Sequence, residues 1–350
     1  MIFYKAVQNS VKEYPIGISV VICCYNSEKR IQKTLEHLAL QKANDVPWEI
    51  ILVDNNCKDH TVQVATTTWE KFMIDFPVLK CVKETKPGLS YARECGINES
   101  KFKYILLCDD DNWLREDYLI NAFHVLQSNE SIAAMGGCGE PVYDAFEPPS
   151  WFPPLAGLMA TGPQGKGGLD ADGESKGCLY GAGLILNRLY LENLRKSGFV
   201  STLMDRQGAK LSSGGDTELT LALQFLDGHL YYSSKLRFKH LITKPRTEWA
   251  YLRRLSFSIG CSDFYLSSFF ASNKKYNWFL LVFTNFVVLV RSWRRAFIAS
   301  FEPGNKEVLI YERMRGQFYE SFFHFRKFKE NIKRVQTVKQ RIGELNSLFR

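Results

Sequence analysis

What this chain does not contain narrows its identity before any motif is read. Its nine cysteines fall at no metal-ligand spacing: Cys23 and Cys24 are adjacent within an apolar run, and the other seven are scattered. An odd, unpatterned set of this kind is expected as free, buried thiols in a reducing cytoplasm. The first residues, Met1 to Lys5, lack the basic-then-apolar layout of a secretion signal, so a cytoplasmic location is expected. There are no internal repeats. No aromatic and basic signature of a nucleic-acid-binding module occurs, so the net charge of +8 points to nucleotide phosphates or anionic lipid rather than to nucleic acid. With 350 residues, 45% hydrophobic and 23% charged, the chain is of ordinary globular composition and long enough to bury a large core.

What is present is concentrated acid. Asp109-Asp110-Asp111 follows the apolar stretch Tyr104 to Leu107, placing three carboxylates at the end of a buried strand. Like charges packed together raise one another's pKa and cost stability unless a cation sits among them. Mg²⁺ or Mn²⁺, held by one or two carboxylates and by substrate phosphates, would relieve that repulsion. The competing reading is a solvated acidic turn leading into the next helix.

The first 110 residues alternate between strand and helix patterns. Ile18 to Cys24, Trp48 to Asp54, Val78 to Val82 and Tyr104 to Leu107 read as strands; Ile31 to Leu40, Thr61 to Phe72 and Ser90 to Asn98 read as helices. This alternation predicts βαβ units around a mostly parallel sheet flanked by helices. Ligands of such sheets bind beyond the carboxyl ends of the strands. Asn26, Asp54 and the three aspartates all fall there, a convergence that solvated turns do not explain.

Further along, Pro141 to Gly177 is Pro- and Gly-rich and too long for a simple connection, which suggests a lid or binding surface. Strand character returns at Gly177 to Leu186 and at Leu230 to Phe238, and helix character at Leu189 to Ser197. Asp216 is placed as the N-cap of a helix over Leu219 to Leu226. From Trp249 the pattern is mostly helical, with Phe318 to Arg350 expected as an exposed basic tail. Trp278 to Val290 is nearly all apolar but shorter than the roughly 20 residues of a spanning helix. Two readings stand: a helix buried against the main domain, or one lying at a membrane surface. The flanking Lys274-Lys275 and Arg291, Arg294 and Arg295 favour peripheral contact through 278–295, at the inner face of the cytoplasmic membrane.

Assembled in order, the motifs of the first 240 residues resemble those of family 2 glycosyltransferases of GT-A fold. The opening strand with Tyr25, Asn26 and Glu28 matches the family's first pattern, and Leu52 to Thr61 its second, with Cys57 at a position where Ser is usual. Gly88 to Glu94 corresponds to G-x-[SA]-x-A-R-N, with Glu94 in place of Asn. Asp109-Asp110-Asp111 corresponds to the metal-binding D-x-D, Gly181 to Arg188 to the G-A-G segment, and Gly214 to Leu219 to the catalytic-acid motif, with Gly215 replacing a frequent Glu.

The resemblance implies a Rossmann-like catalytic domain over 1–245 and a helical C-terminal region over 246–350. It further implies a metal-dependent inverting transfer from a nucleotide diphosphate sugar, UDP favoured, to a hydroxyl of a glycan or lipid-linked acceptor, in surface polysaccharide or glycan synthesis. Tyr25, Asn26, Glu28, Asp54, Lys86, Arg93, Asp109 and Asp110 would then bind the nucleotide sugar. Asp111, His240 and Asp109 would hold Mn²⁺ or Mg²⁺. Asp216 would be the general base, with Glu218 the runner-up. Trp151, Phe152, Trp249 and Arg253 are acceptor-site candidates.

Two other readings stay open. A nucleotidyltransferase would carry a Gly-rich phosphate loop after its first strand, where this chain has Cys-Cys-Tyr-Asn-Ser. A non-catalytic glycan- or membrane-binding protein would not need intact Asp109, Asp111 and Asp216.

Overall fold

The computed structural model describes residues 13–72, 77–203, 205, 213–271 and 277–347. The apolar run Ile18–Cys24 forms β1 and alternates between the two sheet faces: Ile18, Val20 and Ile22 pack on one side, Val21 on the other. β2 (Trp48–Asp54) and β4 (Tyr104–Asp109) flank it in parallel, and β3 (Leu79–Lys83) pairs beyond β2. The connections between these strands are α1 (Ile31–Ala39), α2 (Thr61–Trp69) and α3 (Leu89–Glu99). Ile31, Leu35 and Leu38, at helical spacing, seal one face; Ala92 and Ile97 of α3 seal the other.

Beyond β4 the sheet is mixed. The order is β3-β2-β1-β4-β8-β6-β9-β5, with β7 (Gly173–Glu174) on β9. β8 (Leu184–Asn187) enters antiparallel to β4, and β6 (Ile132–Tyr143) runs parallel to β9 (His229–Ile242). The parallel character expected from the sequence therefore holds for the four N-terminal strands and for β6–β9, while the strand expected over Gly177 to Leu186 is confined to four residues. The short β5 (Asn112–Leu114), directly after the acids, pairs antiparallel with the far end of β9 and sets Asn112 opposite His240. Helices α4 (Tyr118–Ser128), α5 (Arg188–Lys196) and α6 (Gly215–Leu223) complete the layers.

The C-terminal region contains α7 (Trp249–Leu266), α8 (Trp278–Ile298), α9 (Lys306–Phe323) and α10 (Phe325–Ser347). Hydrophobic clusters cross residue 245. Phe152, Leu155 and Ile242 pack with Tyr251, Leu252 and Leu309, while Val335, Val338 and Ile342 of α10 join the cluster beneath β1 and β2. The expected exposed tail is thus corrected: α10 is amphipathic and buries one stripe against the body. The cysteine expectation holds in part. All nine are free, but only Cys24, Cys108 and Cys138 are buried, and Cys81 is exposed.

Candidate active site

The carboxyl ends of β1, β2 and β4 open onto a cavity of about 720 Å³. Its walls include Tyr25 and Asn55 from the first two strand ends, Asp109, Asp110 and Asp111 from the third, and Asp205, Asp216, His240 and Arg246 from later segments. Gly157 to Ala160, from the long Pro- and Gly-rich segment, and Leu255 and Ile259 of α7 supply an apolar wall.

Each of the three aspartates faces a different cation. Asp110 is buried and turns inward, accepting from Ser27 Oγ and pairing with Arg30 Nη2 at 2.7 Å. Burial, then the neighbouring Asp111, raise its pKa, while Arg30 opposes them. Asp109 Oδ1 lies 3.6 Å from Arg93 Nη2. Asp111 meets His240 Nε2 at 3.3 Å through Oδ1 and Arg246 Nη1 at 3.2 Å through Oδ2. The repulsion argued from sequence is therefore already met by three arginines, which the spacing along the chain did not reveal. Asp110, expected among the nucleotide-binding residues, is held in a buried pair on the cavity wall.

Arg93 is the hub. Its Nη1 lies 2.9 Å from Asp205 Oδ2. Burial works against its charge, yet Asp205, Asp109 and Asp216 together lift its pKa above the ordinary arginine value. Burial pushes Asp205 up to about 6, with Arg93 opposing and Asp216 adding to the rise. Asp205 Oδ1 also accepts from Gly215 N–H at 2.9 Å, tying Arg93 to the start of α6. Asp205 lies outside every motif read from the sequence, so no signal marked it.

Asp216 is not the N-cap expected. Gly214, at φ +108, a left-handed conformation that glycine adopts without a Cβ clash, occupies that position, and Asp216 is the second residue of α6. Its Oδ2 accepts from Gly181 N–H at 2.5 Å and its Oδ1 from Thr217 N–H at 2.7 Å. These bonds fix the carboxylate at a helix N-terminus and leave lone pairs on both oxygens. Glu218, the runner-up base, is fully buried and lies outside the cavity wall. It accepts from Ser201 Oγ, Thr202 N–H and Oγ1, and Leu203 N–H, and pairs with Arg334 Nη2 at 2.6 Å. That arrangement clamps α10 to the segment before α6, which corrects the expectation of a chemical role.

The remaining expected nucleotide residues divide. Tyr25 is exposed on the cavity rim. Asn26, at φ +52, accepts from Lys58 N–H at 2.8 Å and braces the loop, with its own N–H on Cys57 Sγ. Asp54 Oδ1 accepts from Cys57 N–H at 2.8 Å, and the adjacent cavity wall is Asn55 instead. Asn55 was missed in the sequence. Its Oδ1 accepts from Gly88 N–H and its Nδ2 donates to the carbonyls of Glu84 and Lys86, joining two strand-end loops. Glu28 accepts from His60 N–H at the start of α2, and exposed Lys86 lies over the Tyr91 ring at 3.9 Å. Neither lies on the cavity wall.

Of the acceptor candidates, Phe152 is fully buried and Trp151 packs edge-on against Trp249, with ring centroids 5.4 Å apart. Arg253 is committed to the buried Glu312 through Nε at 2.8 Å and Nη2 at 2.6 Å. All four lie off the cavity wall. The expectation of acceptor contact is corrected for them: the first three anchor the loop on α7, and the apolar wall of the cavity comes from Gly157 to Ala160.

A divalent ion fits part of the expected ligand set. Among the described residues no three metal-ligating side chains converge, so Asp109, drawn to Arg93, does not join Asp111 and His240. Those two remain adjacent on the cavity wall, and His240 Nδ1 is buried without a hydrogen-bond partner among the described residues. Two protein donors plus phosphate oxygens and water suit a hard cation.

An α/β sheet flanked by helices, carrying acids at its strand ends and a helical C-terminal region, is the architecture of GT-A glycosyltransferases. A solved mannosyltransferase from Pyrobaculum calidifontis, in complex with GDP-Man and Mn²⁺, shares the fold at TM-score 0.51 and 15% identity, over 95% of this chain and 80% of its own. Residues 19–166 match the model of glycosyl transferase family 2, and that segment is similar to the family. Glycosyltransferase GlyG of Streptococcus pneumoniae is 29% identical over 120 residues, 34% of this chain and 38% of that protein. A poly(ribitol-phosphate) beta-glucosyltransferase of Bacillus spizizenii is 29% identical over 119 residues, 34% of this chain and 18% of its own length. The matched segment thus spans well under half of these relatives.

Proposed function

We propose that this protein transfers a hexosyl or N-acetylhexosaminyl group from a nucleotide diphosphate sugar, UDP favoured, to a hydroxyl of a glycan or lipid-linked acceptor in surface polysaccharide synthesis. The observation that carries the reading is the meeting of Asp109, Asp111, Arg93, His240 and Asp216 on one cavity wall. Relatives that act on poly(ribitol-phosphate) support the polymer class of acceptor. Residues 1–245 would form the catalytic domain and 246–350 its helical support.

In this reading the donor lies across the strand ends. Tyr25 and the loop braced by Asn26 and Asn55 border the base, Asp109 faces the ribose, and Arg93 and Arg246 place positive charge beside the diphosphate. Asp111 and His240 would hold Mn²⁺ or Mg²⁺, which when bound neutralises charge on the departing diphosphate. Asp216 accepts the proton of the acceptor hydroxyl as that oxygen attacks the anomeric carbon opposite the leaving group. A single displacement of this kind inverts the anomeric configuration. Its carboxylate is pre-aimed by Gly181 and Thr217 N–H groups, so little reorganisation accompanies proton transfer.

The test is nucleotide release and sugar transfer from a panel of nucleotide sugars, with and without Mn²⁺, alongside thermal shift. The reading expects donor-selective stabilisation that metal strengthens. Equal indifference to every nucleotide sugar, with and without metal, would sink it.

A further inference from the structure

The apolar segment expected either in the core or at a membrane surface forms the 21-residue α8, and it is not buried. Its inner stripe, marked by Leu281, Leu289, buried Ser292 and buried Ala296, faces the body, and the helix packs on α9. Its outward half presents Phe279, Phe283 and Phe297, respectively 74%, 64% and 65% exposed. The aromatic surface continues onto α9. Phe286 meets Phe318 at 5.9 Å and Trp278 meets Phe322 at 6.0 Å, and Phe322 and Phe323 are themselves exposed. Contiguous exposed apolar surface of this kind marks an interaction site. No helix among the described residues is long and apolar enough to cross a membrane.

The charge around this surface selects the partner. From Trp278 to Phe301 there is no Asp or Glu, while Arg291, Arg294 and Arg295 are all exposed among the aromatics. A second copy docked on α8 through a two-fold axis would bring two sets of these arginines into one interface, with no acid on α8 to pair them. Aromatics that bury in an acyl boundary while arginines meet phosphate headgroups satisfy both halves of the surface. Lys274 and Lys275, the other cations noted in the sequence, lie outside the described residues.

The surface is rigidly coupled to the cavity. Gly260 of α7 and Gly316 of α9 let the two helices touch backbone to backbone. A Cβ on either would collide with the carbonyl of Arg313 or Phe257. α7 also carries Leu255 and Ile259 of the cavity wall.

We propose that the joint outward face of α8 and α9 docks in plane on an anionic phospholipid surface, holding the cavity at the membrane. The proposal deepens the lipid-linked acceptor reading by naming a lipid surface as the partner, but its test is independent of glycosyl transfer.

The test is sedimentation of the full chain with vesicles of phosphatidylcholine alone or containing about one-third phosphatidylglycerol. Binding should favour the anionic vesicles by on the order of 10²-fold, from about three arginines near the surface. The pair Phe283→Ser and Phe297→Ser should weaken binding by roughly tenfold or more. Arg291→Gln, Arg294→Gln and Arg295→Gln together should erase the lipid preference. Unchanged thermal melting and donor turnover in these variants would separate the surface from the chemistry. Equal pelleting of the phenylalanine variant and the parent would overturn the proposal. So would equal affinity for both vesicle types, or a lipid-free dimer in sedimentation velocity that the same two substitutions dissociate. Absence of donor turnover in the parent protein, with vesicle binding intact, would instead count against the transferase reading alone.

Discussion

The cavity and the outer face of α8 both concentrate one kind of group, yet they are resolved in opposite ways. In the cavity the carboxylates Asp109, Asp110, Asp111 and Asp205 have found internal counter-charges in Arg93, Arg30, Arg246 and again Arg93, while Asp216 is held by backbone N–H groups. On α8 the aromatics find partners on one side only, and the other side remains open with arginines interspersed. A group satisfied within the molecule can still be functional, but a group left unsatisfied at the surface calls for a partner. The difference follows from solvation. Desolvated charge is costly at once and is paired during folding. Exposed apolar area costs less per residue and can persist until something covers it.

The sharpest way to break this contrast is Asp216→Asn. It keeps the shape and one of the two accepting oxygens but removes the base, and transfer should fall by about 10²–10⁴ with donor-induced thermal shift retained. Full transfer by this variant, with loss in Glu218→Gln, would reverse the two roles. Second in size, Phe152→Ala should cost about 3–5 kcal/mol in chemical denaturation because it opens a fully buried site. Trp151→Ala, half-buried, should cost distinctly less; equal costs would mean that the loop is not anchored as described. Third, Glu218→Gln leaves Arg334 without its counter-charge and should destabilise by roughly 3 kcal/mol in the same measurement, with the KM for donor little changed. A large KM effect at unaltered stability would place Glu218 at the substrate.

The smallest effect expected is a slope in pH. Asp205 has a folded pKa raised to about 6 from its ordinary 3.8. The folded state therefore binds a proton that the unfolded state has released. Stability from this group is present below about pH 4 and is lost as pH rises through about 6. Asp205→Asn should flatten that part of a Tm-versus-pH curve. A steeper decline in the variant would show that the carboxylate is held ionised by Arg93 throughout.

Legibility differed between the same two regions. Asp54 and Asp109 to Asp111 could be picked out because apolar runs announce buried strands, and strand ends announce a ligand edge; Asp216 was marked by a helix start and by the family resemblance. Asn55, next to Asp54 in the second matched motif, was within reach of the same signal, but Asp205 and Arg246 were not. They sit in no periodic element, and their importance arises from meeting Arg93 and Asp111 across gaps of 112 and 135 residues. The acceptor aromatics failed for a related reason. A Trp-Phe pair beside prolines reads the same whether it stacks on sugar or on Trp249, and only packing separates the two.

Local composition by itself determined the strand–helix alternation, the acidic edge and the apolar character of 278–290, because each depends on residues that are neighbours in the chain. The tertiary structure alone decided which carboxylate faces the cavity and which is spent on a clamp, and which side of α8 stays open. Burial and ion pairing join groups far apart in sequence, and their free energies exist only once the chain has closed upon itself.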